Sequence, residues 1–317
     1  MGNYNKRAYG CAVIKSINSN YNADFTHQPR RLPDGKVYAT DKALKYAVRN
    51  YWVDRGLKVF YYKRLNENLN PLDLNEAYER MFREDELGND KKTVLKNLLS
   101  CLDIRTFGAT YANKKKNVGL SIHGTVQFTH GLNRFIEDDI FSEQIMSPFA
   151  DQKEVKDKSS KTEPTYKEAE ASTLGTQFKL REGHYVHHIS VNPLNISELV
   201  SISTAQSITQ DDINVLKDAL RFGVTYYDSS AKAGTDNEAL FWLELNEDSK
   251  LVLPSFVELV SIGEDEQGSF IDFENLSQLL DQENVSKHIA TKDLYYDKAT
   301  TRVINLPAGT RELDLYE

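Results

Sequence analysis

Residues 9–17 read YGCAVIKSI and residues 40–56 read TDKALKYAVRNYWVDRG, and these two stretches decide the fold. The first is a short apolar run rich in β-formers, which predicts a strand, and the turn-rich residues Asn18 to Asp24 carry it into a polar loop. The loop continues through Gln28-Pro29-Arg30-Arg31 to Asp34-Gly35. Thr40 then caps a predicted helix whose apolar positions Leu44, Ala47, Val48, Tyr51 and Trp52 share one face. Lys42, Lys45 and Arg49, three and four residues apart, share a second face. Gly56 ends the helix, and Leu57 to Tyr62 (LKVFYY) is predicted as the next strand.

Outward from this unit lies a polar, helix-compatible insertion, roughly Asn66 to Lys96. Ile104 to Ala112 and Val118 to Thr129 are predicted strands flanking a Lys114-Lys115-Lys116 turn. From Asp151 to Glu170 eleven of twenty residues are charged, which is too polar for a core and predicts a projecting arm. Alternation resumes at Thr176 to Val191. Thr209 and Asp212 form a capping-box start to a helix ending near Phe222, and Gly223 to Tyr227 and Ala239 to Leu245 are the last strand candidates. This order fits the α+β class, with a β-α-β-β-α-β ferredoxin-like core carrying large insertions.

The 317 residues carry a formal net charge of -8, which on average opposes phosphate binding. The distribution is lopsided: residues 1–63 hold twelve Lys and Arg against four Asp and Glu, whereas residues 244–317 hold sixteen acids against six bases. Such a dipole can hold a polyanion at one end, or pair the basic end of one copy with the acidic end of the next. Mean hydropathy is -0.55 and no run of eighteen apolar residues occurs, so no membrane span is expected and the expected address is the cytoplasm. Cys11 and Cys101 sit in apolar stretches without C-x-x-C spacing and read as reduced core residues.

Motifs for catalysis are sparse. There is no Gly-rich phosphate loop, which argues against nucleotide hydrolysis. Gly119-Leu-Ser121-Ile-His123-Gly124 has G-x-S-x-x-G spacing rather than that of a nucleophile elbow, so Ser121 reads as a strand residue. His184, His187 and His188 lie in a strand-like run that puts His187 and His188 on opposite faces, so no metal site is expected. Asp24, just before Arg30 and Arg31, could promote attack by an RNA 2'-hydroxyl or hold a divalent ion; the competing reading is a carboxylate stabilising its own turn.

Three segments together resemble the backbone subunit of Cascade, the CRISPR-associated RNA-guided surveillance complex, in particular its type I-B branch. They are Pro29-Arg30-Arg31 with Thr40-Asp41-Lys42-Ala43-Leu44-Lys45 and Arg49; Asp103 to Thr110 with Gly124-Thr125-Val126-Gln127-Phe128; and Ser229-Ser230-Ala231-Lys232-Ala233-Gly234. Relatives usually read Gly-Pro-Val-Gln in the second and Ser-Arg-Ser-Lys-x-Gly in the third, so Thr125, Ser230 and Ala231 are departures.

The resemblance implies one modified RRM-type palm over residues 1–317, a finger-type helical insertion over 66–100 and a β-hairpin thumb over 130–180. It implies a non-catalytic crRNA scaffold without cofactor or metal, polymerising along the guide with other Cascade subunits while the guide pairs with target DNA. The implied RNA contacts are Asn20, Arg30, Arg31, Thr40, Lys42, Lys45, Arg49, Arg105, Phe107, Gln127 and Lys232, with Lys45 the best matched. Two alternatives stand beside it: a type III-like backbone that cuts target RNA with Asp24, and an assembly protein independent of nucleic acid.

Overall fold

The computed structural model describes residues 2–88, 90–113, 117–135, 139–150 and 171–317. The Lys114-Lys115-Lys116 turn and the charged arm Asp151 to Glu170 lie outside the described residues. In chain order the elements are β1 (Ala8–Ser19), β2 (Tyr38–Ala39), α1 (Asp41–Asp54), α2 (Leu74–Met81), α3 (Lys91–Leu99), α4 (Leu102–Phe107), β3 (Gly108–Asn113), β4 (Val118–His123), β5 (Val126–Phe128), β6 (Gly131–Asn133), β7 (Ile140–Ala150) and β8 (Ala171–Val191). Then follow α5 (Ser197–Ser203), α6 (Gln210–Tyr226), β9 (Thr235–Leu245), β10 (Ser261–Asp265), β11 (Gly268–Asp272), α7 (Glu274–Leu280), α8 (Glu283–Ser286), β12 (Ile289–Tyr296), β13 (Arg302–Ile304) and β14 (Arg311–Asp314).

β1 is central, hydrogen-bonded antiparallel to β8 on one side and β9 on the other. Both of its faces are covered, which is why YGCAVIKSI is apolar almost without alternation. The sheet runs β14-β12-β9-β1-β8-β6-β2, with β5 and β7 also paired to β8. On one face Ala12, Ile14, Leu240 and Trp242 meet Leu44, Val48 and Trp52 of α1 and Ile213, Leu216 and Leu220 of α6. The helices cross closely at Gly223, where a Cβ would stand 3.2 Å from the Ala47 carbonyl oxygen. On the other face Tyr9, Cys11, Val13, Phe241 and Leu243 meet Phe256, Ile271, Phe273 and Leu276. Cys11 and Cys101 are buried free thiols, as their apolar surroundings predict. The helical insertion buries Tyr78, Phe82, Leu95 and Leu98 with Tyr111 and Ile122 in a third cluster.

Four predicted elements differ. Leu57 to Tyr62 is not a strand, because the N–H groups of Phe60 and Tyr61 are donated to the Asp103 carboxylate at 2.8 Å each instead of to a ladder. Ile104 to Ala112 divides into the end of α4 and β3 at Gly108, whose φ of 74° favours glycine. Val118 to Thr129 divides into β4 and β5 around Gly124-Thr125. Gly223 to Tyr227 continues α6 rather than starting a strand: Asn237 Oδ1 accepts from the N–H groups of Val224 and Thr225, and its Nδ2 donates to the Leu220 carbonyl.

The three β8 histidines are structural, and His187 and His188 do face opposite cores. His187 lies in a T-shaped contact with Tyr21, and Nδ1 donates to the Thr129 carbonyl at 3.0 Å. His188 packs on Tyr9 and Phe256, and its Nδ1 accepts from the Phe256 N–H at 3.2 Å. Burial pushes both down to about 4 from 6.5. Unfolded, they take up protons below 6.5; folded, they resist until about 4, so the stability they lend at neutral pH drains across that window. The loss is on the order of 3 kcal/mol each, expected as a falling urea midpoint between pH 7 and pH 4.5 that His187→Gln flattens. His184 has the opposite sign: burial lowers it, but Glu238 at 2.6 Å and Glu182 at 3.0 Å outweigh burial and the nearby Lys15, so its net shift is upward. Its contribution is complete below 6.5 and fades as pH rises through the raised value.

Candidate nucleic-acid interface

Loop residues 20–40, the start of α1 and the loop before β9 converge at one end of β1. Asn20 is buried: its N–H donates to the Ala231 carbonyl at 2.7 Å, and Nδ2 donates to the carbonyls of His27 and Phe178. Its Oδ1 is buried with no partner among the described residues. Arg30 pins its backbone between Asn22 and Tyr38, and its Nε is likewise buried without a partner. Arg31 is exposed and donates to the Gly35 carbonyl at 2.7 Å. Thr40 caps α1 as its sequence position predicts, accepting from the Ala43 N–H at 3.3 Å. Asn22 Oδ1 in turn accepts from the Thr40 N–H and hydroxyl at 2.9 and 3.0 Å, a partnership the sequence reading missed.

The cationic face of α1 is less uniform than its spacing suggests. Lys42 is exposed. Lys45 folds down to Asp41 at 3.0 Å and lies over the rings of Phe107 and Phe128. Arg49 bonds Asp103 at 3.2 Å and lies 5.1 Å from the Phe107 centroid. Burial lowers its guanidinium while Asp103 works against that. Both side chains are only 13% exposed, so each is a half-neutralised cation bordering the surface.

Arg105 and Phe107, two of the implied RNA contacts, lie in the interior. Arg105 is 4% exposed, makes a two-pronged pair with Asp212 at 2.8 and 3.3 Å, and donates to the Leu99 carbonyl. Asp212 also closes the capping box of α6 with Thr209. Arg105→Leu is therefore expected to cost about 3 kcal/mol by stranding a buried carboxylate, measured by urea unfolding. Phe107 stacks on Trp52 at 5.5 Å and meets Phe128 edge-on. Gln127 is exposed on β5, with Nε2 donating to the Gly124 carbonyl.

Lys232 is a half-buried cation held by a carbonyl rather than a carboxylate. Its ammonium donates to the Tyr21 carbonyl and lies 5.3 and 5.8 Å from the rings of Tyr21 and Tyr227. Among the described residues no carboxylate pairs with it, and burial pushes it down to about 8. Tyr227 continues into an aromatic run with Tyr46 and Tyr62 at 5.2 and 5.7 Å, which the sequence reading did not single out. The loop is held by Gly234, where a Cβ would stand 2.4 Å from the Ile17 carbonyl oxygen.

Asp24 fits the turn reading. Its Oδ1 accepts from the Thr26 N–H and hydroxyl, each at 2.7 Å, and from the Gln28 N–H at 3.1 Å, and these bonds hold its carboxyl below the usual range. Among the described residues no three His, Cys, Asp or Glu side chains cluster as metal ligands.

A mixed α/β sheet protein with a half-buried ammonium facing no carboxylate among the described residues, and with exposed Arg31 and Lys42 near one loop, can hold a polyanion by its charged backbone. The profile of the family described as CRISPR-associated protein Cas7 matches residues 6–278, and the chain belongs to that family. No curated protein sequence matches the chain. Among solved structures, a chain described as "CRISPR RNA-guided surveillance complex, pre-nicking" is 14% identical with a TM-score of 0.51, covering 97% of this chain and 96% of that one, and shares its fold. A second, described as "CRISPR RNA-guided surveillance complex", is 15% identical with a TM-score of 0.47, covering 96% and 94%.

Proposed function

We propose that this Cas7-family chain is the crRNA-binding backbone subunit of a type I CRISPR surveillance complex, holding the guide by its sugar-phosphate chain. The observation that carries the reading is Lys232, a half-buried ammonium that faces no carboxylate among the described residues, beside a loop that also carries Arg30 and Arg31. A phosphate there supplies the missing counter-charge.

The finer assignments follow. The order β9-β1-β8-β6, with α1 and α6 on one face, is read as the ferredoxin-like palm, α2 and α3 as the finger, and β7 with β8 as the root of the thumb. Copies line up along one guide in the cytoplasm beside other Cascade subunits, base pairing with target DNA reads sequence, and the protein itself does no chemistry. The three matched segments favour type I-B. Salt-dependent filter binding of single-stranded RNA tests the core of this. An Arg30→Ala, Lys42→Ala double variant is expected to bind every sequence more weakly and to reduce the salt slope by up to about two. An unchanged isotherm sinks the assignment. Incubating the assembled complex with matched RNA and magnesium tests the cutting alternative: regular fragments abolished by Asp24→Ala overturn the non-catalytic reading.

A further inference from the structure

Phe25 is 98% exposed, the most exposed of the large hydrophobic side chains described. It does not dangle from a loose loop. The three bonds accepted by Asp24 Oδ1 close the turn beneath it, as do the Asp24 N–H to Gln28 carbonyl bond at 2.8 Å and the bridge between Ala23 and Pro29. Asn20 ties the turn to the hairpin root through the His27 and Phe178 carbonyls. A phenyl ring is thus held out in water on a preorganised support, with its ordering entropy already spent.

The surroundings say what covers it. Its chain neighbours Thr26, His27 and Gln28 are exposed and polar, so the turn itself offers a single apolar ring rather than the broader apolar surface a protein contact uses. The same loop carries Arg30 and Arg31, and its first turn receives the Lys232 ammonium at Tyr21. One ring on a loop that also carries cations matches a nucleotide, with an apolar face on its base and a negative charge on its phosphate.

We propose that Phe25 is a stacking platform for one nucleobase of the single-stranded guide, an inference that rests on the guide-binding reading above. Asp24 is then a positioning residue, fixing the turn that presents the ring. Stacking is indifferent to base identity, so the platform sets where the strand sits without selecting sequence.

The test uses the full chain with single-stranded RNA carrying 5-iodouridine, irradiated and mapped by mass spectrometry. An adduct at Phe25 is expected. Phe25→Ala should lose it and bind about ten-fold more weakly with an unchanged salt slope, while Phe25→Trp keeps both adduct and affinity. Truncating so exposed a ring leaves the melting temperature where it was, separating this effect from misfolding. Salt-dependent binding with adducts elsewhere and an unaffected Phe25→Ala overturns the platform but leaves the guide reading standing. No salt-dependent RNA binding by the wild type overturns both. Loss of RNA-free self-association in Phe25→Ala, with affinity for RNA intact, shows that protein covers the ring and overturns the proposal.

Discussion

Lys232→Met should weaken binding of single-stranded RNA by roughly 10- to 100-fold, the range for losing a charged hydrogen bond, and at the same time make the free protein more stable. The two effects share one cause. Burial lowers this ammonium from 10.5 to about 8, so folding disfavours its charged form. The sign follows: above 10.5 the group is neutral in both states and exacts nothing, and as pH falls to 8 a penalty accumulates. At neutral pH that penalty is complete, on the order of 3 kcal/mol. Methionine keeps the aliphatic packing between Tyr21 and Tyr227 and removes the charge. A urea midpoint that rises in the variant while filter-binding affinity falls is the expected pair of results. A bound phosphate also restores the ammonium, so wild-type affinity should decline as pH rises through about 8 and the decline should vanish in Lys232→Met. Parallel pH profiles for the two proteins would show that Lys232 does not meet the phosphate.

Asp103→Ala should be strongly destabilising, on the order of 5 kcal/mol. Asp103 is fully buried and accepts from the Phe60 and Tyr61 N–H groups and from Arg49. Removing it leaves two backbone donors and a mostly buried guanidinium without partners. Pairing Asp103→Ala with Arg49→Leu should recover part of the loss, because the stranded cation is gone, while the two N–H groups stay unsatisfied. Urea unfolding of the three variants measures this. A double variant no more stable than Asp103→Ala would place the whole effect in the backbone donors. Arg49→Ala also disturbs this junction, so a binding defect in that variant reports packing as well as charge.

These cases mark what the sequence could tell and where it stopped. β1, α1 with its Thr40 cap, and the Thr209–Asp212 capping box were legible because each is governed by residues within a few positions of one another. Leu57 to Tyr62 was misread because what captures its N–H groups is a carboxylate more than forty residues later. The ion pair of Arg105 was not legible because its partner Asp212 lies 107 residues away. Val224 to Tyr227 carry β-formers, but Asn237 holds the end of α6 beyond them. At the candidate site, composition pointed to the loop over residues 20–40 and to α1. It could not tell that Lys45 and Arg49 are partly neutralised and that Lys232 is not, since those differences depend on which carboxylates fold alongside.

β8 runs 21 residues without a break and serves two structures at once. From Val191 to Leu180 its register is locked to β1, and a one-residue slip would exchange the environments of His187 and His188. From Leu180 outward the same strand pairs with β7 instead. Along the described pairing, position is therefore counted from a fixed origin, about 3.3 Å per residue. Adding or removing residues in pairs beyond Leu180 lengthens or shortens the pairing in steps of about 7 Å and leaves the inward and outward faces unchanged. Evolution can tune the span between this sheet and whatever the hairpin meets without renegotiating the core.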